Sequence, residues 1–183
     1  VFESRESADG GPSIEENLQS GVELFGVHEI GAEMELLTLL LESLKKLGLN
    51  ECNDPCLLIG HTSFMDLILA SFDNNTREEI RKALIHYDRL RIDSIDLDKK
   101  SKSLIKRIQN CRGIPSNVLK EIEDIYGRNI FIENLQRIFS MIEPLAASNG
   151  INLQLDPTFH PYFELYKGLV FQLVCQGEAA PVV

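Results

Sequence analysis

The stretch that decides the fold runs from Leu155 to Gln172 and reads LDPTFHPYFELYKGLVFQ. Its first half contains two prolines, one of them in an Asp-Pro pair, which is typical of a turn. The run from Leu169 to Cys175 is almost continuously apolar, and such a run is typical of a strand covered on both faces. We therefore predict a turn that leads into a central, buried strand.

The chain before this stretch alternates between strand and helix patterns. Apolar residues recur at helical spacing over 30–48, and Gly48 is expected to end that helix. An alternating pattern predicts strands on either side of a polar turn at 9–12. Further short alternating or apolar runs predict strands at 21–27, 56–60 and 151–155. The order of these elements indicates an α+β core.

A block of different character interrupts this core. Residues 74–128 keep helical patterns, carry more charge and show no strand signal. We predict a helical insertion between two parts of one core, 1–73 and 129–183. The second part opens with a helix over 129–149, which Pro144 is expected to kink or shorten.

Charge and hydropathy argue against nucleic acids and membranes as partners. The net charge is −10, from 18 basic and 28 acidic residues, so a nucleic-acid-binding surface is not expected. The basic stretch from Lys99 to Arg112 is interpreted as the solvated face of a helix. No apolar run approaches the roughly 20 residues that span a bilayer, and the N-terminus has no signal-peptide pattern. We expect a cytoplasmic protein with no membrane contact, and the start of the chain resembles the middle of a domain.

The cysteines and histidines give little sign of chemistry. Cys52 and Cys56 are four residues apart, but no second pair follows at zinc-binding spacing, so we expect reduced thiols. We interpret His61 as a structural or surface histidine and His160 in the same way. No phosphate-binding glycine loop, catalytic triad or metal motif is present, so we expect no cofactor.

One pair of polar residues could hold a small ligand. Gln19 and Glu23 are separated by an even number of residues, so they share one face if the strand has begun. A carboxylate beside an amide suits the ammonium group of an amino acid. The alternative is that Glu23 faces solvent on a half-exposed sheet.

Two motifs favour the interpretation that Gln19 and Glu23 hold a ligand. QSGVELFGV (19–27), followed by EMEL (33–36), resembles the second class-defining motif of histidyl-tRNA synthetases and the sequence just after it, with Glu33 in place of the usual Asp. YKGLVFQ (166–172) resembles the Y-x-G-T-V-F-E strand of the same family. The resemblance implies a class II synthetase-like antiparallel sheet flanked by helices, with a helical insertion. The first and third class motifs are absent, which implies an incomplete core.

This chain departs from the histidyl-tRNA synthetases at two positions where that family has an arginine. The family keeps an Arg five residues before the motif Tyr, where this chain has Pro161. It also keeps an Arg after the Phe that opens the second motif, where Glu3 follows Phe2; Arg5 is displaced by two. Without these cations, charge developing during activation would not be stabilised. The chain resembles instead the regulatory subunits of ATP phosphoribosyltransferase, a paralogue that does not charge tRNA. The run DPTFHPYFELY (156–166) is particularly similar to the cyanobacterial type. This resemblance implies that the chain is not an enzyme.

The resemblance also implies partners and a site. It implies a hetero-oligomer with a short-form ATP phosphoribosyltransferase catalytic subunit, self-association as a dimer, and feedback by histidine. Histidine would be held by Gln19 and Glu23, closed in by Tyr166 and contacted by Glu164. Two alternatives stay open. One is a divergent histidyl-tRNA synthetase, and the other is an amino-acid-binding module that serves some other enzyme.

Overall fold

The computed structural model describes residues 2–6, 12–16, 22, 24–26, 30–49, 54–160 and 167–177. The first element is a hairpin in which β1 (Phe2–Glu6) pairs antiparallel with β2 (Pro12–Glu16). The predicted β-structure around a turn is confirmed at these residues, although the second strand begins at Pro12, inside the predicted turn.

Helices form most of the described chain. In order they are α1 (Ile30–Lys46), α2 (Thr62–Leu69), α3 (Asn74–Ile85), α4 (Arg89–Ser94), α5 (Lys99–Asn110), α6 (Pro115–Tyr126) and α7 (Ile130–Ser148). The strands β3 (Cys56–His61), β4 (Asn152–Leu155) and β5 (Leu169–Val174) complete the fold. The helices predicted over 30–48 and 129–149 and the strands predicted over 56–60 and 151–155 are confirmed.

The second sheet has three strands in the order β4-β3-β5. β3 runs parallel to β4, with Cys56 opposite Asn152, and antiparallel to β5, with Ile59 opposite Phe171. Among the described strands β3 is therefore central and β5 pairs with it on one side, so the prediction that 169–175 forms the central strand is not confirmed by the residues described. An apolar run predicts that a strand is buried, but it does not reveal how many neighbours the strand has.

The strand predicted over 21–27 is not formed at the residues described there. Val22, Leu24, Phe25 and Gly26 lie outside any strand. Gly26 has φ 78°, which is incompatible with extended backbone, and the Phe25 side chain is 81% exposed. The alternating pattern alone does not form a strand here, because a strand also needs a neighbouring edge to bond with.

The buried apolar residues form a cluster that joins the sheet to the helices around it. α1 contributes Leu37, Leu41 and Leu44 to this cluster. The side-chain amide of Asn149, at the end of α7, donates to the Leu41 carbonyl at 3.3 Å. α1 and α7 are thereby fixed side by side, and both later contribute to the candidate site.

α7 continues through Pro144 for 19 residues, so the predicted shortening of this helix is wrong. Proline removes one backbone donor and crowds the preceding turn. Ile142 and Ala146, on either side of it, are both buried. Packing therefore keeps the helix together where local propensity alone would end it.

The cysteines differ from the expectation of reduced thiols. Cys56 and Cys111 are free, whereas Cys175 is disulfide-bonded. The expectation is therefore wrong for Cys175, because spacing along the sequence does not show which sulfur atoms lie within bonding distance. Burial raises the pKa of the Cys111 thiol to about 12, so this thiol stays protonated.

The turn after β4 lies directly against β3. The Asp156 N–H donates to the Ile59 carbonyl at 2.9 Å. A Cβ atom placed on Gly60 would lie 2.2 Å from the carbonyl oxygen of Phe159. The turn can take this position only because residue 60 has no side chain.

This close approach predicts the effect of two glycine substitutions. Gly60→Ala is expected to destabilise the protein by about 2 kcal/mol or more, since the turn backbone must move away. Gly31→Ala is the control, because its Cβ meets nothing within 4 Å and it lies in α1, where alanine should add about 0.5–1 kcal/mol. Urea unfolding of both variants measures the difference. Equal free energies of unfolding would contradict the described position of the turn.

Candidate functional site

The four residues predicted to bind the ligand, Gln19, Glu23, Glu164 and Tyr166, lie outside the described residues, as does Pro161. The next residues along the chain, Leu24 and Lys167, are described. Both line a cavity of about 370 Å³. The structure therefore brings together the two parts of the sequence that carry the predicted site, although it does not place the four side chains.

The cavity has an apolar wall and a few polar groups. α1 contributes Ile30, Glu33 and Leu36, α7 contributes Phe131, Asn134 and Leu135, and β3 contributes His61. Apolar walls with a small number of fixed polar groups are typical of small-molecule sites, which begin at volumes of about 300 Å³. The cavity therefore suits a ligand the size of an amino acid.

His61 is the most constrained polar group in this cavity. Its Nδ1 accepts a hydrogen bond from the Ser63 N–H at 3.0 Å and so caps α2. Its Nε2 lies 3.4 Å from Oε1 of Glu33. Because Nδ1 accepts, the neutral ring carries its proton on Nε2 and points it at Glu33. The interpretation of His61 as a structural histidine is confirmed, and it also lines the cavity.

Aromatic contacts fix the orientation of the His61 ring. Its centroid lies 4.9 Å from that of Phe131 and 6.5 Å from that of Phe64. The two phenyl rings pack edge to face at 5.0 Å, and Phe64 is fully buried. Such contacts add to the free energy of burial, so His61 and Phe131 form a rigid wall of the cavity.

Gly168 closes the cavity on the side of β5. Its N–H donates to Oγ1 of Thr62, and its carbonyl accepts from the Thr62 N–H, both at 3.0 Å. Gly168 has φ 89°, and a Cβ there would lie 3.0 Å from Oε1 of Glu33. A larger residue would be strained and would crowd this carboxylate. These contacts fix the position of Lys167.

A second polar cluster holds the turn that precedes this region. Asp156 is 2% exposed. Its Oδ1 accepts from the N–H and Oγ1 of Thr158 at 2.8 and 2.7 Å, and its Oδ2 accepts from the Tyr87 hydroxyl at 2.8 Å. Burial, followed by the charge of Asp156, raises the pKa of Tyr87 to about 12, so Tyr87 is a neutral donor. The guanidinium of Arg112 lies over the Tyr87 ring, 5.0 Å from its centroid.

These contacts were not predicted from the sequence. The Asp-Pro-Thr order could have identified Asp156, because Asp side chains commonly bond to the backbone two residues on. Tyr87 gives no such signal, since its partner lies far along the chain and its backbone is in the left-handed region at φ 52°. In the sequence, Glu33 stands out only as part of a motif.

Two negative findings apply to the residues described. None of their His, Cys, Asp and Glu side chains form a group of three or more that could hold a metal ion. In the same part of the chain, no helix combines the length and the apolar character needed to cross a membrane.

The Tyr87 contact can be tested against a matched tyrosine. Tyr87→Phe is expected to cost about 1–3 kcal/mol, because Asp156 would lose a donor while remaining buried. Tyr126→Phe should be neutral or stabilising, since the buried Tyr126 hydroxyl has no hydrogen-bond partner among the residues that the structure describes. Chemical unfolding of the two variants provides the measurement. A Tyr87→Phe protein as stable as Tyr126→Phe would show that the Asp156 contact contributes nothing.

The sequence of this chain is similar to the sequences of known proteins. Residues 2–183 match the protein-family model of histidyl-tRNA synthetase. An ATP phosphoribosyltransferase regulatory subunit of Prochlorococcus marinus (strain MIT 9313) is 55% identical over 183 residues, which are 100% of this chain and 47% of the relative. One from Synechococcus sp. (strain CC9902) is 49% identical with the same coverage. The chain thus spans about half the length of the curated relatives it matches.

Solved structures share the fold at low sequence identity. An ATP phosphoribosyltransferase regulatory subunit/histidyl-tRNA synthetase from Bacillus halodurans C has a TM-score of 0.71 at 19% identity and covers 85% of this chain and 42% of its own. The ATP phosphoribosyl transferase (HisG:HisZ) complex from Thermotoga maritima has a TM-score of 0.64 at 17% identity, with 84% and 54% covered. The predicted α+β fold of the class II synthetase type is confirmed.

Proposed function

The chain belongs to the histidyl-tRNA synthetase family, and we propose that within it the protein is a non-catalytic regulatory subunit of ATP phosphoribosyltransferase. The observation that carries this proposal is the 55% identity, over the whole of this chain, to a relative of that name. The regulatory subunit would be required for the activity of a short-form catalytic subunit and would contribute to histidine feedback.

The residues at the motif positions support a regulatory role. Pro161 replaces the Arg that precedes the Tyr motif in the synthetases, and Glu3, in β1, replaces the Arg of the second motif. Cations aimed at a developing negative charge often contribute several kcal/mol to catalysis. A proline and a carboxylate supply none of this, so the activation of histidine by ATP would be lost.

We propose that histidine binds in the 370 Å³ cavity. Gln19 and Glu23 would hold its ammonium group, Tyr166 would close the cavity and Glu164 would lie on the same side as Tyr166. Support comes from Leu24 and Lys167, which follow Glu23 and Tyr166 in the chain and line this cavity. The fixed pair of Glu33 and His61 offers further polar contacts to an amino acid.

Regulation by histidine requires an assembly with two states. Histidine changes the partner's activity only if it binds one state more tightly, and a coupling of about 1–3 kcal/mol is typical. The assembly would be a cytoplasmic hetero-oligomer with the catalytic subunit, in which this protein also self-associates as a dimer. Residues 74–128 would be the insertion between the core parts 1–73 and 129–183.

Histidine titration into the full-length protein tests the site. Glu23→Ala is expected to weaken histidine binding about tenfold or more, because a charge-assisted hydrogen bond to the ammonium group is lost. Glu35→Ala is the control, since Glu35 is exposed on α1 and lies outside the cavity lining. Calorimetry gives both affinities. Equal affinities in wild type and Glu23→Ala would place histidine elsewhere.

An activity assay separates the regulatory subunit from a synthetase, the alternative that the family match also allows. The full-length protein is expected to restore activity to an inactive short-form catalytic subunit and to catalyse no histidine-dependent pyrophosphate exchange with ATP. The absence of the activating cations is the physical reason for the second result. Exchange above background, without activation of the catalytic subunit, would establish the synthetase and reject the proposal.

A further inference from the structure

A second cavity of about 310 Å³ lies beside the first and differs from it in chemistry. The two share Lys167 and Gly168, so they lie on either side of the same short segment. The second cavity is lined by Thr62, Ser63, Asp66, Arg81 and His160 as well as by the shared residues. Hydroxyl and charged groups dominate this lining, whereas the first cavity has a largely apolar wall.

Positive charge exceeds negative charge among these lining residues. Arg81 and Lys167 are the basic side chains of this lining, and Asp66 is its one acidic side chain. The chain as a whole has the opposite balance, with a net charge of −10. Two basic side chains that line one concave site favour the binding of an anion there.

A buried histidine also lines this cavity. His160 is 6% exposed. Burial is the main reason that its pKa is lowered, and the charges of Arg81 and Asp66 also act on it, in opposite directions. These three side chains are therefore close enough to form one electrostatic unit, which is built around a buried polar group.

Arg81 and Lys167 differ in the contacts that surround them. Arg81 pairs with Glu78, one turn earlier on α3, at 3.3 Å. Lys167 forms no ion pair with any residue that the structure describes, and the bonds between Gly168 and Thr62 fix its backbone. The Thr62 hydroxyl accepts from Gly168, so its own proton is left to donate to a ligand.

We propose that this cavity binds a phosphate group, either free phosphate or a small phosphate monoester, between Arg81 and Lys167. Guanidinium and ammonium groups bind phosphate through charge-assisted hydrogen bonds, and hydroxyls such as those of Thr62 and Ser63 commonly complete such sites. The volume exceeds that of a phosphate alone, so a monoester with a small organic group fits well. This inference does not depend on histidine binding in the first cavity.

Calorimetric titration of the full-length protein at constant ionic strength tests this site. The probes are inorganic phosphate, ribose 5-phosphate and acetate. Binding of both phosphates at millimolar concentrations, with acetate much weaker, is expected. Stronger binding of ribose 5-phosphate identifies an ester as the ligand class, and stronger binding of inorganic phosphate identifies the free anion. Binding of neither phosphate, or binding of acetate as strong as that of phosphate, would overturn the proposal.

Matched variants locate the site. Arg81→Gln and Lys167→Gln are each expected to weaken phosphate binding about tenfold, as for a lost charge-assisted hydrogen bond. Lys82→Gln is the control, because Lys82 neighbours Arg81, pairs with the same Glu78 at 3.3 Å and lies outside the cavity lining. Unchanged affinity in Arg81→Gln, or an equal loss in Lys82→Gln, would reject the site.

A spectroscopic readout separates local binding from a general effect of charge. Phosphate should shift the ring NMR signals of His160 in wild type and leave those of His86 unchanged, because His86 is the C-cap of α3 and does not line this cavity. In Arg81→Gln the His160 shift should need about tenfold more phosphate. Equal shifts of the two histidines would indicate non-specific screening and reject the proposal.

Discussion

The pair of hydrogen bonds between Thr62 and Gly168 is the constraint on which both cavities depend. It joins the end of β3 and the start of α2 to the residue before β5. Glu33, from α1, closes on the same point, because its carboxylate approaches both His61 and Gly168. Elements that are distant in the sequence therefore meet at one corner, and the segment with Lys167 is held between an apolar cavity and a cationic one. A small shift of this corner would change both cavities together.

The turn from Asp156 to His160 gives this corner its second support. It lies against Gly60 on one side and accepts the Tyr87 hydroxyl on the other. Tyr87 belongs to the connection between α3 and α4, so the helical block between the two parts of the sheet contributes directly to the position of the turn. The apolar cluster extends through the same helices. The block therefore acts as a support for the site, whatever further contacts it makes in an assembly.

The sequence predicts those helices and strands whose own apolar spacing shows which face is buried. Apolar spacing identified α1, β3 and β4, because each buries one continuous face. The strand predicted at 21–27 is not formed at its described residues, since an alternating pattern does not supply a neighbouring edge. The central position of β3 among the described strands depends on pairing with distant segments. The site was predicted only as two motifs, whose neighbours Leu24 and Lys167 do line one cavity. The contacts of His61 with Glu33 and of Tyr87 with Asp156 come from the packing of distant segments, which no local pattern reveals.

The pairing of β3 with β4 has a consequence for the order in which this protein folds. Cys56 faces Asn152 in a parallel register, so the sheet cannot close until the whole helical block between them has been synthesised. Closing so long a loop costs conformational entropy before any sheet contact offsets it. We therefore expect the local contacts of the helices to form before the strands of the sheet pair. Until then β3 has open edges on both sides, which makes the newly made chain most vulnerable to aggregation at the strand that later becomes its centre.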